Sequence, residues 1–457
     1  MTAVASSDSD SASSSRARLQ VLALACSLSL LTYLDRICIA RVQPDIERDL
    51  GLTDIEMGFV FSAFTAGYAV FLLPVGWLAD MWGPRRVILR IVLWWSLFTA
   101  LTGAVFDFFP NAPLRLPWPG GWIAVSWGFV AMLTVRFLFG CGEAGVYPAL
   151  TTVVRAWFPP SQRALTQGAI FMSARLGAAF APFIIGRLSH AVGWRLAFVA
   201  LGTIGIAWSI LFARYFRNQP AKQPAAVAEE ILTSQSAPDS TEQPQELPWR
   251  QALSSPAVWA LSLAYVGIGC AWSFFPAWQG RYFSDVYGLS FQDSEIWTGL
   301  PFLCGAAGAF AGGRLSDLLV VWTGNLRWAR TLVGVFGCAG AAGCILLASV
   351  VHNSAQAVAL FALASFSNDL VLGPFWATIA DIGGRFTGTL AGWFNTVGCI
   401  GAMLFVPLIP WLRQQGLEWY FVLQIMACIW AIAAVAWLSV DTTRPIVAPD
   451  AANNSGT

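Results

Sequence analysis

Charge is what this sequence has least of. Only 11% of its 457 residues are Asp, Glu, Lys or Arg, while 57% are hydrophobic, against about 25% and roughly 45–50% in ordinary soluble domains. So little charge cannot clothe a water-soluble globule, and the rule that would divide this length into about three soluble domains does not apply. The charges present nearly cancel, to a net +1, and no basic stripe exists to neutralise phosphates, so nucleic acid is excluded as a partner. Lysine is almost missing, Lys222 being the only one. The nine cysteines all lie in apolar runs with no CxxC pair, so neither a disulfide framework nor a zinc site is expected. Also lacking are a G-x-x-x-x-G-K-[ST] cradle, metal-ligand spacing and a nucleophile elbow. No enzymatic activity, cofactor or metal is expected, and any transport is driven by gradients rather than ATP.

What the chain does have is long apolar runs. Windows of about 20 residues place spans near 19–41, 55–77, 86–108, 121–147, 166–190 and 195–214, then near 257–280, 296–318, 330–350, 356–379, 389–411 and 420–438. The fold class expected is an all-α membrane protein of twelve transmembrane helices in two pseudo-symmetric six-helix halves. The halves are residues 19–215 and 251–440. Between them, residues 216–250 are rich in Pro, Gln, Ala, Ser and Glu without an apolar period and read as a flexible linker. Residues 1–18, rich in Ser, Ala and Asp, read as a disordered tail, with a second tail at 441–457. The first apolar run has no A-x-A site and leads into Asp35-Arg36, so it reads as an uncleaved span rather than a secretory signal.

Arginines gather on alternate loops: Arg85 and Arg86, Arg155 and Arg163, Arg214 with Arg217 and Lys222, Arg327 and Arg330, and Arg385. The intervening loops are poorer, with Arg115, Arg195, Arg281 and Arg413. By the positive-inside tendency the linker and both termini face the cytoplasm, as in a multi-pass plasma membrane protein, a bacterial inner membrane being favoured. His190 and His352 then fall near span ends on the outer side and are poor mid-membrane relays. Most of the 23 tryptophans lie near span ends, where interfacial belts place them.

One polar hinge organises the rest. Gly76-Trp77-Leu78-Ala79-Asp80-Met81-Trp82-Gly83-Pro84-Arg85-Arg86-Val87 sits between two apolar runs, and Gly313-Arg314-Leu315-Ser316-Asp317 repeats its Gly-x-Leu-x-Asp spacing (80 to 317). A chain that repeats its hinge repeats its architecture. Asp80 can counter a neighbouring helix end while Arg85 and Arg86 hold the loop at the membrane surface. Gly76, Asp80, Gly83, Arg85, Arg86, Gly313 and Asp317 therefore form the expected gate, against the plainer reading that these charges only set topology.

Twelve spans, the central linker and the repeated hinge resemble the major facilitator superfamily over residues 19 to 440. Four further segments resemble its anion:cation symporter family, whose members carry organic anions such as sugar acids: Tyr33-Leu34-Asp35-Arg36, Arg136-Phe137-Leu138-Phe139-Gly140-Cys141-Gly142-Glu143-Ala144, Trp157-Phe158-Pro159-Pro160-Ser161-Gln162-Arg163 and Gly193-Trp194-Arg195. The resemblance implies that Asp35 and Glu143 are proton-coupling carboxylates and that Arg36 helps to hold the substrate anion.

The residues themselves point the same way. Ionisable groups inside spans cost roughly 2.5–3.5 kcal/mol each on insertion scales, so each asks for a partner or a watery cavity. Arg136 and Glu143, seven residues apart, share one face of span four about 10 Å apart along its axis, whereas the adjacent Asp35 and Arg36 diverge by about 100°. A desolvated carboxylate near an arginine can alternate between protonated and ion-paired; the alternative is a static ion-pair network that fixes packing. Arg175, midway along span five, departs from the uncharged polar residue that the family often has in this region. It is either a second contact to an acidic substrate or a structural partner for Glu143 or Asp369. Asn395 and Trp376 match positions that in the family line the cavity, where an amide and an indole N–H suit sugar hydroxyls. Tyr33 and Tyr68 are similar candidates or else packing aromatics, Asp369 is an extra proton site or an internally bonded carboxylate, and Gln279 and Arg281 line the mouth or set topology.

The expected function is secondary active transport by alternating access, as proton-coupled symport of an organic anion such as a hexuronate or aldonate, by a monomer. An exchanger or exporter of the same fold is the near alternative. A non-transporting membrane sensor is a remote one, since the linker and tails are too short and polar for a folded soluble domain.

Overall fold

Apolar runs of this length have one stable form in lipid. With no water to satisfy backbone N–H and C=O groups, each run must close its own hydrogen bonds as a helix. The computed structural model describes residues 2–107, 114–118, 121–218, 247–289 and 294–446. Its twelve helices long and apolar enough to cross a membrane, here spans 1 to 12, are Ser15–Arg41, Ile55–Trp82, Pro84–Gly103, Trp127–Trp157, Pro160–Val192, Trp194–Tyr215, Pro256–Ala277, Gly299–Thr323, Leu326–Ala348, Ser354–Ile382, Gly384–Gln414 and Trp419–Leu438. The chain is a multi-pass integral membrane protein of all-α type.

Local chemistry sets where spans begin. Span 2 starts in a capping box, in which Thr53 Oγ1 accepts from Glu56 N–H at 3.3 Å and Glu56 Oε2 accepts from Thr53 N–H at 2.8 Å, satisfying donors the first turn leaves open. Span 4 starts at Trp127, where Ser126 Oγ accepts from Phe129 N–H at 3.0 Å, six residues later than hydropathy alone suggests. The residues before it form a small antiparallel hairpin, β1 (Leu114–Trp118) with β2 (Gly121–Val125), in which Leu114 faces Val125. A hydropathy window counts apolar residues whatever their period, so it takes in the strand Gly121–Val125 along with the helix that follows. The helix of span 1 extends back to Thr2, through the stretch for which composition predicts disorder. Most of the expected linker (219–246) and of the C-terminal tail (447–457) lies outside the described residues.

Packing repeats between the halves. Span 1 packs on 5, 2 on 4 and 3 on 6, and correspondingly 7 on 11, 8 on 10 and 9 on 12. Across the halves span 2 meets 11 and span 5 meets 8, the same pair of contacts exchanged. Glycine makes these crossings close: a Cβ on Gly76 would lie 2.3 Å from the Gly388 carbonyl oxygen, and one on Gly313 would lie 2.3 Å from that of Ala164. All four residues lie toward the linker end, where spans 2, 4, 6, 8 and 10 finish. The other end of the bundle carries the hairpin.

Two spans are interrupted, and they correspond. Span 4 breaks after Glu143 into Trp127–Glu143 and Val146–Trp157; span 10 breaks one residue beyond Asp369 into Ser354–Leu370 and Leu372–Ile382. Interrupted helices at equivalent places in two repeats are where transporters of this kind place their sites.

Candidate functional site

The break in span 4 is built by Gly145, whose φ of +89° is a conformation only glycine adopts easily. It leaves Glu143 at a helix end inside the bundle, and Arg36 of span 1 reaches it. Arg36 donates from Nε (3.0 Å) and Nη2 (2.5 Å) to the same oxygen, Oε1; among the described residues the other, Oε2, has no hydrogen-bond partner. Exposure separates the two groups: the Arg36 side chain is 21% accessible and that of Glu143 1%. The guanidinium lies 4.9 Å from the ring centre of Tyr33, 4.7 Å from that of Tyr68 and 5.1 Å from that of Phe64, distances at which aromatic faces attract a cation. Beneath this pair Arg136 is buried against Phe139, with Nε and Nη1 unpartnered among the described residues. Asp35 is buried too, within electrostatic range of both Glu143 and Arg136. All five candidates on spans 1 and 4 thus gather in one place.

Arg175 takes the second of its expected roles: its partner is Asp369 of span 10, in the other half. Nε donates to Oδ2 at 2.5 Å and Nη2 to Oδ1 at 2.9 Å, a parallel fork with both side chains buried. Asn368 Nδ2 also donates to Asp369 Oδ1 at 2.9 Å, and Trp430 Nε1 donates to Asn368 Oδ1 at 3.1 Å. The plane of Arg175 lies 3.4 Å from the ring centre of Trp272 in span 7.

The two arginines are joined by aromatics. Tyr33 meets Trp272 and Tyr147 edge-on, both at 6.4 Å, and Tyr147 stacks on Phe171 at 4.8 Å. Trp376, completely buried, packs at 6.0 Å from Tyr147 and 5.8 Å from Tyr265; its indole Nε1 has no acceptor among the described residues. Asn395 Nδ2 donates to Tyr68 Oη at 3.3 Å, another bond from half to half. Tyr147, Trp272 and Tyr265 were not foreseen, since an aromatic in an apolar run carries no sequence signal that separates lining from packing.

The expected gate divides in two. Asp80 ends span 2 facing the first turn of span 11, where it accepts from Gly388 N–H (2.7 Å), Thr389 N–H (2.6 Å) and Thr389 Oγ1 (2.6 Å). Asp317 does the same to span 5, accepting from Ala164 N–H (3.3 Å) and Leu165 N–H (2.7 Å). Each repeated acid therefore caps a helix of the opposite half, where the N-terminal partial charge favours an anion. Gly83 and Arg85 lie on the same loop but serve their own half: Arg85 N–H donates to Asn218 Oδ1 at 3.0 Å and Arg85 Nη2 to the Ala213 carbonyl at 2.6 Å, while a Cβ on Gly83 would meet Asn218 at 3.0 Å. Arg86 is exposed. A buried ion cluster completes the closure: Asp381 accepts from Arg163 Nη1 at 2.7 Å and Arg330 Nε at 3.4 Å, and Arg330 also donates to Asp317 (2.7 Å) and to the Pro160 carbonyl (2.6 Å). In the sequence Arg163 and Arg330 stand out only as loop arginines, Arg163 also as the end of the Trp157–Arg163 segment.

At the hairpin end Gln279 is buried, and Arg281 pairs with Asp285 at 2.9 Å on the outward face of a short helix, Gln279–Tyr287, beyond span 7. His190 and His352 are exposed. Asp49 accepts from Trp194 Nε1 at 2.9 Å and pairs with Arg195, contacts that hold its carboxyl below the usual range.

Comparison with known proteins agrees with this geometry. A family profile described as the Major Facilitator Superfamily matches residues 25–406. The chain is 29% identical over 429 residues to the probable sulfoacetate transporter of Cupriavidus necator, covering 92% of this chain and 93% of that one. It is 29% identical over 382 residues to the hexuronate transporter of Bacillus subtilis (82% and 84% covered) and 30% identical over 429 residues to the probable galactarate/D-glucarate transporter of Escherichia coli (90% and 92%). Among solved structures, the proton:xylose symporter XylE superposes with a TM-score of 0.72 at 12% identity, over 94% of this chain and 97% of that one. These relatives are transporters, not enzymes. The chain belongs to the major facilitator superfamily, and within it to a family of anion transporters.

Proposed function

We propose that this protein is a proton-coupled symporter of an organic anion, of the sugar-acid class or one close to it in charge and polarity. The observation that carries this is the Arg36–Glu143 pair: a partly accessible guanidinium whose carboxylate partner is buried. An anion that reaches Arg36 competes with Glu143. If Arg36 turns to the anion, Glu143 is left as an unpaired buried carboxylate, which is costly enough that it takes up a proton instead. Anion binding and protonation therefore favour one another, and a proton gradient can drive accumulation. Asp35 serves as the neighbouring proton site, and the Arg136 donors without partners among the described residues can stabilise whichever of the two carboxylates is ionised. Tyr33, Tyr68, Asn395 and the free indole N–H of Trp376 supply donors and acceptors for hydroxyls, as sugar acids require. The names of the three relatives support an anionic substrate.

In this reading the linker end is cytoplasmic, since Arg85, Arg86, Arg155, Arg163, Arg214 and Arg217 lie there. Closure at that end by Asp80, Asp317 and the Asp381 cluster is the outward-facing arrangement. Release to the cytoplasm requires these contacts to part as halves 19–215 and 251–440 rock about the central site. All residues invoked come from one chain, so a monomer suffices, and the bacterial relatives favour a plasma membrane setting. Uptake of labelled sugar acids into proteoliposomes, with and without an inward proton gradient, tests the proposal. Gradient-driven accumulation of an anion that Glu143→Gln abolishes, while exchange persists, supports it; no movement of any panel anion, with binding unchanged in Arg36→Ala, refutes it and favours an exporter or sensor.

A further inference from the structure

The reading above draws on the charged groups of spans 1 and 4, yet the site contains a further arginine–carboxylate pair that it leaves idle. Glu143 and Asp369 occupy corresponding places: Glu143 is the last residue, and Asp369 the last but one, of the first segment of an interrupted span, in the two spans related by the repeat. Each is followed twelve residues later (143 to 155, 369 to 381) by a charged residue at the linker end. Each is buried and each is held by an arginine. The arginines stand on either side of Tyr33 and Trp272, whose rings touch edge-on at 6.4 Å.

We propose that Arg175, stacked on Trp272, is a second anion subsite that Asp369 occupies in the substrate-free protein, so that the preferred cargo is a dianion with an acidic group at each end of a short polar body. The inference rests on the anion-transport reading and names its substrate class more narrowly.

Three observations distinguish a resident stand-in from a fixed strut. First, the fork is the one that any carboxylate or sulfonate would make: Nε and Nη2 of Arg175 present two parallel N–H groups, with the indole of Trp272 covering the guanidinium face. Second, Asp369 does not depend on Arg175 alone. Asn368 donates to its Oδ1, and Trp430 fixes Asn368, so the carboxyl keeps a partner when the arginine leaves. Third, the pair joins span 5 to span 10 across the two halves, which a transport cycle moves relative to one another. The titratable groups within electrostatic range of Arg175, besides Asp369, include the phenols of Tyr33, Tyr147 and Tyr265, from spans 1, 4 and 7. A bare arginine there would be expensive in an empty site, and Asp369 removes that expense until a second acidic group arrives.

The test compares an aldarate, with two carboxylates, against the aldonate of the same carbon skeleton, with one. In proteoliposomes of the wild-type protein the aldarate should be taken up with a kcat/KM about ten- to a hundredfold above that of the aldonate, the range that one charge-assisted fork supplies. The double variant Arg175→Gln with Asp369→Asn removes both charges together, leaving no buried ion unpaired, and should lower the aldarate to aldonate ratio toward one. Asp369→Asn alone frees Arg175 and should lower the aldarate KM several-fold more than the aldonate KM. A wild-type ratio near one, or a ratio that the double variant leaves unchanged, overturns the proposal while uptake of either anion keeps the broader reading intact. Absence of uptake for every organic anion overturns both. If the double variant does not fold, the wild-type ratio and the Asp369→Asn shift decide alone.

Discussion

Replacing Glu143 by Gln keeps the shape of the side chain and removes its charge, and the geometry predicts an affinity gain alongside a loss of coupling. In the native pair one oxygen accepts from two N–H groups of Arg36, at 3.0 and 2.5 Å. Hydrogen bonds to a charged partner contribute about 1.5–3 kcal/mol, against about 0.5–1.5 kcal/mol for neutral ones. Neutralising Glu143 therefore weakens the internal contact by about 1–1.5 kcal/mol. Since an incoming anion must displace that contact, its Kd should fall about tenfold. The assay is calorimetric binding of the transported anion at a pH where the wild-type carboxylate is ionised, paired with proteoliposome uptake. Accumulation driven by a proton gradient should vanish, because a glutamine carries no proton, while counterflow between equal pools continues. Weaker binding in Glu143→Gln would refute the competition on which the mechanism is built. Retained gradient-driven accumulation would move the coupling proton to Asp35.

Three further outcomes follow from the linker-end contacts and the hairpin end. Asp80→Asn removes the charge from three hydrogen bonds to the start of span 11, so the linker-end-closed population should drop about tenfold, read as longer distances between spin labels on spans 2 and 11; unchanged distances would mean that the charges only set topology. Gly76→Ala places a Cβ 2.3 Å from a backbone oxygen of span 11, whereas Gly58→Ala in the same span meets nothing within 4 Å. The first should open the linker end and suppress uptake, and the second should leave both as they are. At the hairpin end, the Trp194 N–H and Arg195 lower the Asp49 carboxyl from its ordinary value. A depressed folded-state value means stability that is present above the unfolded value and lost as pH falls through the folded one. The melting-temperature difference between wild type and Asp49→Asn should therefore be constant near neutral pH and shrink below about pH 4.

What the sequence made legible was local or intrinsically costly. The hinge could be read because Gly76, Asp80, Gly313 and Asp317 carry their meaning in a five-residue spacing, and Asp35, Arg36, Arg136, Glu143 and Arg175 stood out because charge inside an apolar run needs a reason. Partners far along the chain were not legible. Arg175 and Asp369 are 194 positions apart, and nothing in either segment selects Asp369 over Glu143. Arg163 and Arg330 looked like surface charges because both sit near span ends, and only tertiary packing brings them to a buried Asp381. Interfacial tendency likewise fails to single out Trp95, Trp430 and Trp437, which are all fully buried. Arg85 shows the converse error: a hinge residue counted with the gate turns back to the end of its own sixth span.

The repeat that sequence reveals is a repeat of scaffold, and the chemistry laid on it is lopsided in a way that bears on mechanism. Arg36, Arg136, Glu143 and Asp35 all belong to the first half, as does Arg175, while the second half offers Asp369, Asn395, Trp376 and Trp272. Rocking the halves therefore leaves the Arg36–Glu143 bond undisturbed, because both partners move together. Only a proton or a competing anion can open it, which is what a coupling site needs if it is not to leak with every conformational fluctuation. The Arg175–Asp369 bond spans the moving boundary, together with Asn395–Tyr68, and must respond to the motion itself. In the proposed mechanism one pair thus senses ligand and the other senses conformation. A dianion gripping both arginines would bind the ligand switch to the moving one, whereas a monoanion held at Arg36 alone would leave Asp369 latched across the halves.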